Sequence, residues 1–283
     1  MLVSKDWIDY KILKASNGEK LESWKNVVLL RPDPVVTWDM GDFSQYKINA
    51  KYHRSNTGGG HWENLCKTPE SWIVTYKDKR FLLKEMGFKH TGLFPEQAIN
   101  WDFAEKMIKE ANREISVLNL FAYTGAQTVA CLKAGAKVTH VDSSRGMTDW
   151  AKENVKLNNL ENMPVRYLVD DVVKFVKREI RRGNKYDAII MDPPSYGRGA
   201  NGEIWSLESD LENLIKLCQQ ILTDNFLFMI INTYSSNLPL VSLENILKLN
   251  FHNKKITVDD LCLPIENSEL YLSCGITGRV INE

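Results

Sequence analysis

The sequence predicts an α/β protein. A doubly wound, largely parallel sheet ends in an antiparallel hairpin and is preceded by a small β-rich module. Three observations predict it. From residue 95 onward, short apolar strand patterns alternate with helical patterns of ten to fifteen residues, the order that builds a parallel sheet with helices on both faces. The last two strand patterns have no helix between them, only residues 259–269, so they form a hairpin at the sheet edge. Before residue 90 there are only short β-like runs separated by turn residues. The expected division is therefore a module over residues 1–88 and an α/β domain over 89–283.

Each element has its own signal. Residues 9–13 precede the turn Ser16-Asn17-Gly18, and residues 27–30 end at Arg31-Pro32-Asp33-Pro34. Residues 72–76 and 81–83 flank Lys77-Asp78-Lys79-Arg80, which suggests a hairpin. Residues 51–62 read as a long irregular loop, because Gly58-Gly59-Gly60 signals a loop and not packing. Pro95-Glu96 opens a helix running to about residue 112, since proline and an acid suit the unpaired amides and the dipole of a first turn. Strands at 117–121, 137–141, 165–169, 186–191 and 225–231 then alternate with helices at 126–134, 147–158, 172–182, 207–222 and 240–249. Strands at 252–258 and 270–277 close the chain.

Composition bounds the function. A length of 283 residues suffices for a substantial core, and 25% charged with 10% aromatic residues excludes wholesale disorder. No apolar run approaches the ~18 residues of a membrane helix. Met1-Leu2-Val3-Ser4-Lys5-Asp6 becomes charged too soon for a signal peptide. The five cysteines (Cys66, Cys131, Cys218, Cys262, Cys274) include no C-x-x-C pair, so neither a disulfide framework nor a metal site is expected, and a reducing cytoplasm is the expected location. The 36 Lys+Arg balance 36 Asp+Glu, yet the net hides its distribution. Residues 1–94 carry 15 basic against 11 acidic side chains (+4), and the other 189 residues carry 21 against 25 (−4). Five of the eight tryptophans also lie in the first part.

The strand ends carry the chemistry. In open α/β sheets ligands bind at the carboxyl ends of the strands, near the point where strand order reverses. Those ends read Asn119 through Gly125, then Val141-Asp142-Ser143, Val169-Asp170-Asp171-Val172 and Met191-Asp192-Pro193-Pro194. Asp142 follows Gly125 by seventeen positions, near the spacing at which a nucleotide-binding unit aims a carboxylate at a ribose diol. Two neighbouring hydroxyls can donate to one carboxylate, each bond worth roughly 1.5–3 kcal/mol. Asp171 could accept from an exocyclic amine of adenine, or it could simply cap a helix. The first loop has one glycine and no G-x-G-x-x-G, so it lacks the close backbone approach that a dinucleotide pyrophosphate needs. S-adenosylmethionine carries no phosphate and is favoured over NAD. Asp192-Pro193-Pro194-Ser195-Tyr196 forms a rigid turn. It could offer a carboxylate and carbonyl oxygens to a planar amine, with the Tyr196 ring to stack; the bland reading is a turn that only ends a strand.

At these residues the sequence resembles the class I S-adenosylmethionine-dependent methyltransferases, and in particular the branch of bacterial large-subunit ribosomal RNA cytosine and guanine methyltransferases. The matching segments are Lys89-His90-Thr91-Gly92-Leu93-Phe94-Pro95-Glu96-Gln97, Asn119 through Gly125, Val141-Asp142-Ser143-Ser144, and Asp192-Pro193-Pro194-Ser195-Tyr196-Gly197-Arg198-Gly199, within residues 85–280. The resemblance implies a Rossmann-like seven-stranded sheet. It implies cofactor contacts at Phe121, Tyr123, Thr124, Gly125, Asp142, Ser143, Asp171, Val172 and Asp192, and from Thr91, Phe94 and Gln97 in the segment before the first helix. Asp192, Pro193, Pro194 and Tyr196 are the expected catalytic group. The cytosine C5 enzymes of this branch place a nucleophilic cysteine just after the fifth strand. Here that stretch reads Ile231-Asn232-Thr233-Tyr234-Ser235-Ser236, without a thiol. Serine is a much weaker nucleophile at neutral pH unless a base activates it, so a nitrogen acceptor is expected.

The expected partner is RNA, ribosomal RNA first. Tyr52, His53, Arg54 and Trp62 beside the glycine run are candidates to stack unpaired bases and meet phosphate. Trp7, Trp24, Trp38 and Trp72 are expected in the core of the β module. Two rival readings are kept: a methyltransferase acting on a small molecule or a protein side chain, marked by an enclosed pocket under Trp205 and residues 197–205, and a catalytically silent RNA-binding or scaffold protein with a vestigial cofactor fold.

Overall fold

The computed structural model describes residues 1–55, 59–198, 204–235 and 237–282. The chain forms two compact units, one of residues 2–99 and 261–274, the other of Met1 and residues 100–260 and 275–283.

In the first unit, β1 (Leu2–Val3), β2 (Tyr10–Ser16), β3 (Glu19–Trp24), β4 (Val27–Pro32), β5 (Ala50–Arg54) and β6 (Gly60–Asn64) are followed by the pair β7 (Trp72–Tyr76) and β8 (Lys79–Leu83). Strands β2 to β6 make one sheet in chain order, antiparallel throughout except for the parallel β4–β5 pair. Asn17 (φ 47°) and Gly18 (φ 82°) are both left-handed, the conformation that joins two antiparallel strands tightly, and they link β2 to β3. Trp7, Trp24 and Trp72 are buried as expected, and Trp38 is half-buried.

The stretch expected to be an irregular loop is instead the hairpin β5–β6, with Tyr52 paired to Trp62 and His53 to His61. Gly60 lies in a strand because a side chain would not fit: a Cβ there would sit 2.0 Å from the His53 carbonyl oxygen and 2.7 Å from the Tyr52 hydroxyl. This glycine therefore serves close packing, contrary to the reading of the run; Gly58 lies outside the described residues.

The segment after β8 makes a 3-10 turn, Pro95–Gln97, before helix α1 (Ala98–Glu110), so Pro95 begins a tighter turn than expected. Beyond it follow β9 (Ser116–Leu120), α2 (Ala126–Lys133), β10 (Lys137–Asp142), α3 (Arg145–Leu157), β11 (Val165–Val169), α4 (Val172–Arg182) and β12 (Ala188–Met191). The chain then forms the small hairpin β13 (Tyr196–Arg198) and β14 (Ile204–Ser206), α5 (Leu207–Gln219), β15 (Phe228–Thr233), α6 (Leu240–Asn250), β16 (Lys255–Pro264) and β17 (Tyr271–Ile281).

The large sheet runs β16-β17-β15-β12-β9-β10-β11, and the terminal hairpin joins through β17, antiparallel to β15. The two-residue β1 adds an eighth strand to the expected seven, parallel to Leu261 and Cys262 of β16. Strand order reverses between β9 and β12, so the expected site lies at their carboxyl ends. Leu118, Leu120, Ile189, Met191, Met229 and Ile231 bury one sheet face against α4, α5 and α6. The alternate residues meet α1 and α2: Phe228 packs edge-on against Phe103, and Asn119 donates to Thr128.

Candidate active site

The loop that leaves β9 is held in an unusual backbone. Phe121 (φ 54°), Tyr123 (φ 51°) and Gly125 (φ 79°) are all left-handed, a conformation that costs a non-glycine residue on the order of 1 kcal/mol and persists where the surroundings enforce it. Asp142, at the end of neighbouring β10, is part of that enforcement. Its carboxylate accepts the Tyr123 amide on one oxygen (2.8 Å) and the Ser144 amide on the other (2.8 Å). Burial raises its pKa, and the two amide bonds oppose that rise. A carboxylate has about four lone-pair positions, so each oxygen keeps one acceptor site.

Gly125 is constrained by packing. A Cβ there would lie 2.7 Å from the Cβ of Ala151, so glycine lets α2 and α3 approach closely. The same turn is pinned by Asn154, whose side chain donates to the Thr124 carbonyl (2.9 Å). Beneath it, Asn119, Thr128 and His140 form a buried ladder with links of 3.0 Å each. Burial depresses the His140 pKa to about 3, so the ring is neutral.

The other expected residues fall as follows. Ser143 precedes the α3 cap, Ser144, whose hydroxyl accepts the Met147 amide. Asp171 caps α4 by accepting the Lys174 amide (2.8 Å), the plainer of its two readings. Val172 is buried in the core with Phe175 and Val176. Asp192 is half-buried, with its amide directed to the Leu120 carbonyl (3.4 Å). The next turn offers fewer free acceptors than the sequence suggested: the Trp205 indole donates to the Pro194 carbonyl (2.7 Å), and the Leu207 amide donates to that of Ser195. Pro193 is buried, while Tyr196 is 55% exposed. Trp205 also packs against Phe121, ring centres 5.8 Å apart, so the β13–β14 hairpin is fastened to the left-handed loop. Residues 199–203, part of the loop expected to cap a pocket, lie outside the described residues.

Thr91, Phe94 and Gln97 belong to the other unit. Thr91 is fully buried, and no described residue bonds its hydroxyl. Phe94 lies 5.1 Å from His90, centre to centre, and the Gln97 amide closes the turn onto the Phe94 carbonyl. In the β5–β6 hairpin, Tyr52 is buried edge-on against Trp62, whose indole donates to the Met86 carbonyl (2.9 Å). His53 pairs with Glu63 (2.7 Å) and stacks on His61, and Arg54 is exposed.

Three of the thiols are held in their protonated form by burial. Burial raises the Cys131 pKa to about 12 and raises those of Cys218 and Cys274 strongly. Ser235 donates to Glu208 (2.5 Å), but bonding lowers the Glu208 pKa, foremost the bond from Ser235, and this makes it a poor base. Among the described residues no group of three or more His, Cys, Asp or Glu could hold a metal ion, and no helix is long and apolar enough to cross a membrane.

Sequence reasoning missed Asn100, Asn232, Thr277 and Arg279. They form a buried polar group around the end of β15, and only the two asparagines' polarity at apolar positions could have signalled them.

Comparison with known proteins identifies the family. Residues 12–244 match the family model of S-adenosylmethionine-dependent methyltransferases. The ribosomal RNA large subunit methyltransferase K/L of Syntrophotalea carbinolica is 30% identical over 207 residues, which are 70% of this chain and 28% of that protein. The chain thus spans under a third of that relative's length. The ribosomal RNA large subunit methyltransferase K of Neisseria meningitidis is 26% identical over 256 residues, 89% of this chain and 68% of the relative. The crystal structure of the SAM-dependent methyltransferase from Agrobacterium tumefaciens superposes with a TM-score of 0.94 at 30% identity, covering all of this chain and 94% of that one. With two thirds of its length or more matched in each case, this chain belongs to the S-adenosylmethionine-dependent methyltransferases.

Proposed function

We propose that the chain methylates a base of ribosomal RNA, and that the acceptor is a nitrogen. The observation that carries this reading is Asp142, which braces a left-handed loop with both oxygens and keeps an acceptor site on each. That arrangement fits a ribose diol. When bound, S-adenosylmethionine supplies an activated methyl group. The chain's own residues bind and align. Asp142 would hold the ribose, and Phe121, Tyr123, Thr124, Ser143 and the free oxygen of Asp171 would line the remaining contacts. Asp192 would accept from the acceptor amine and Tyr196 would stack on its ring, and such alignment can supply ~7–11 kcal/mol in favourable cases.

A nitrogen acceptor is supported by the chemistry of this chain's nucleophiles. The stretch after β15 carries no thiol, the helical thiols are held protonated by burial, and Ser235 has only a weakened base. Ribosomal RNA is supported by the names of the relatives and by the +4 balance of residues 1–94, where exposed Arg54 would meet phosphate. Such a substrate entails action in the cytoplasm. The test is transfer of labelled methyl from S-adenosylmethionine to ribosomal RNA from a strain lacking the protein, followed by nucleoside analysis. Label in an N-methylated nucleoside is expected. Label in 5-methylcytidine, or none in RNA, contradicts the proposal.

A further inference from the structure

A directed chain of hydrogen bonds ends at Asn232. Arg279 donates through Nε (3.0 Å) and Nη2 (2.6 Å) to one side-chain atom of Asn100. A guanidinium only donates, so that atom is the oxygen and the other is the amide nitrogen. Asn100 Nδ2 in turn donates to Asn232 (3.0 Å) and to the Thr277 hydroxyl (3.1 Å). The Asn232 atom it meets must therefore be Oδ1. The ambiguity between oxygen and nitrogen that attends any asparagine is removed at both positions by one arginine. What remains is the Asn232 amide nitrogen, a donor for which no described residue is an acceptor, on a side chain only 3% exposed.

The position of that donor gives it meaning. Met191 of β12 and Ile231 of β15 are register partners, so Asp192, just past the end of β12, and Asn232, still within β15, follow at neighbouring positions of adjacent strands. Asn232 turns away from the face that Ile231 buries against α5 and α6, because Asn100 of α1 holds it. The residue that bears an acceptor carboxylate and the residue that bears an oriented donor are thus neighbours at the carboxyl edge. The scaffold behind them is firm: the Arg279 guanidinium lies 4.3 Å from the centre of the Phe103 ring, and Thr277 faces Asn232 in the β15–β17 register.

We infer that Asn232 is a specificity-determining residue that donates a hydrogen bond to the acceptor base beside Asp192, with Asn100 and Arg279 as the positioning residues that fix its orientation. The pair reads a base edge on which a donor and an acceptor are neighbours, and it disfavours an edge that offers two acceptors, since the Asp192 carboxylate would then face a second acceptor. This inference rests on the proposal that an RNA base is the substrate.

The test uses the full chain, S-adenosylmethionine, and ribosomal RNA from a strain lacking the protein. Asn232→Asp keeps the acceptor that Asn100 needs and removes the donor. The expected result is a fall in kcat/KM for RNA on the order of 100-fold, the effect of removing a buried hydrogen bond made to the substrate in the transition state, with S-adenosylmethionine affinity unchanged by calorimetry. Asn100→Asp, which can no longer donate to Asn232, is expected to cost on the order of 10-fold, and the double variant to be no worse than Asn232→Asp alone, because both act through one bond. A merely structural role would lower the melting temperature and cofactor affinity as well, and the two losses would add. Wild-type activity with an Asn232→Asp variant within about threefold of it overturns the inference alone. A wild-type chain inactive on ribosomal RNA overturns the substrate proposal and this inference with it.

Discussion

Asp142 carries more of the account than any other side chain, because it holds both the loop and the proposed ribose. Asp142→Ala removes two charge-assisted acceptors. Cofactor affinity should fall roughly 10²- to 10⁴-fold in calorimetry, while Asp192→Ala should lose turnover and largely keep binding. The pKa of Asp142 is raised by burial, so its acceptor form is lost at a higher pH than the usual carboxylate value of about 3.9. Cofactor affinity should therefore weaken as pH falls, starting above that value, and Asp142→Asn should flatten the profile. Gly125→Ala tests the packing: a left-handed φ and a 2.7 Å approach to Ala151 should cost about 2–4 kcal/mol in chemical denaturation. Asp142 was legible in the sequence because its spacing from the glycine is set by the length of one helix and one strand. The left-handed Phe121 and Tyr123 were not, since nothing local favours that conformation and tertiary contacts, Asp142 and the Trp205 ring among them, enforce it.

Elements with a strong period were readable, and the exceptions have physical reasons. Residues 165–169 and 172–182 begin and end where the pattern said, because Asp171 caps α4 and Gly183 ends it with a left-handed turn. The β5–β6 hairpin was hidden by its glycines, one of which is a packing residue inside a strand. The eighth strand was invisible because two residues carry no period. In the first sheet, Glu22 is fully buried, with the Arg31 guanidinium on one oxygen (2.5 Å), the Tyr10 hydroxyl on the other (2.7 Å) and Lys20 at 3.6 Å. Burial works against the Glu22 charge, yet Arg31 and Lys20 hold its pKa below the ordinary value. Arg31→Met should destabilise the protein by about 3–5 kcal/mol, because it strands a buried carboxylate. Denaturant titration of the two proteins measures this. The Arg31 bond to the Lys89 carbonyl (2.8 Å) should also make residues 89–97 the first to lose amide protection.

At the scale of the whole molecule, acid is the informative variable. His140 has a folded pKa near 3 against about 6.5 unfolded, so the unfolded chain binds the extra proton first. A depressed pKa gives stability that is fully present above the unfolded value and is lost as pH falls below it. Between about pH 6.5 and 3 this one residue should cost about 1.4 kcal/mol per pH unit, and His140→Gln should remove that slope. His90, depressed to about 3 by burial and by Arg31, adds in the same direction. The neutral total charge is a poor guide by comparison, since it sums a basic first third and an acidic remainder. Methylation of a ribosomal RNA base at nitrogen is read out by mass mapping of ribosomal RNA from a strain lacking this protein, against its parent. One N-methylated nucleoside present in the parent is expected to be missing from the strain without the protein. An unchanged profile, or the loss of a 5-methylcytidine, would contradict it.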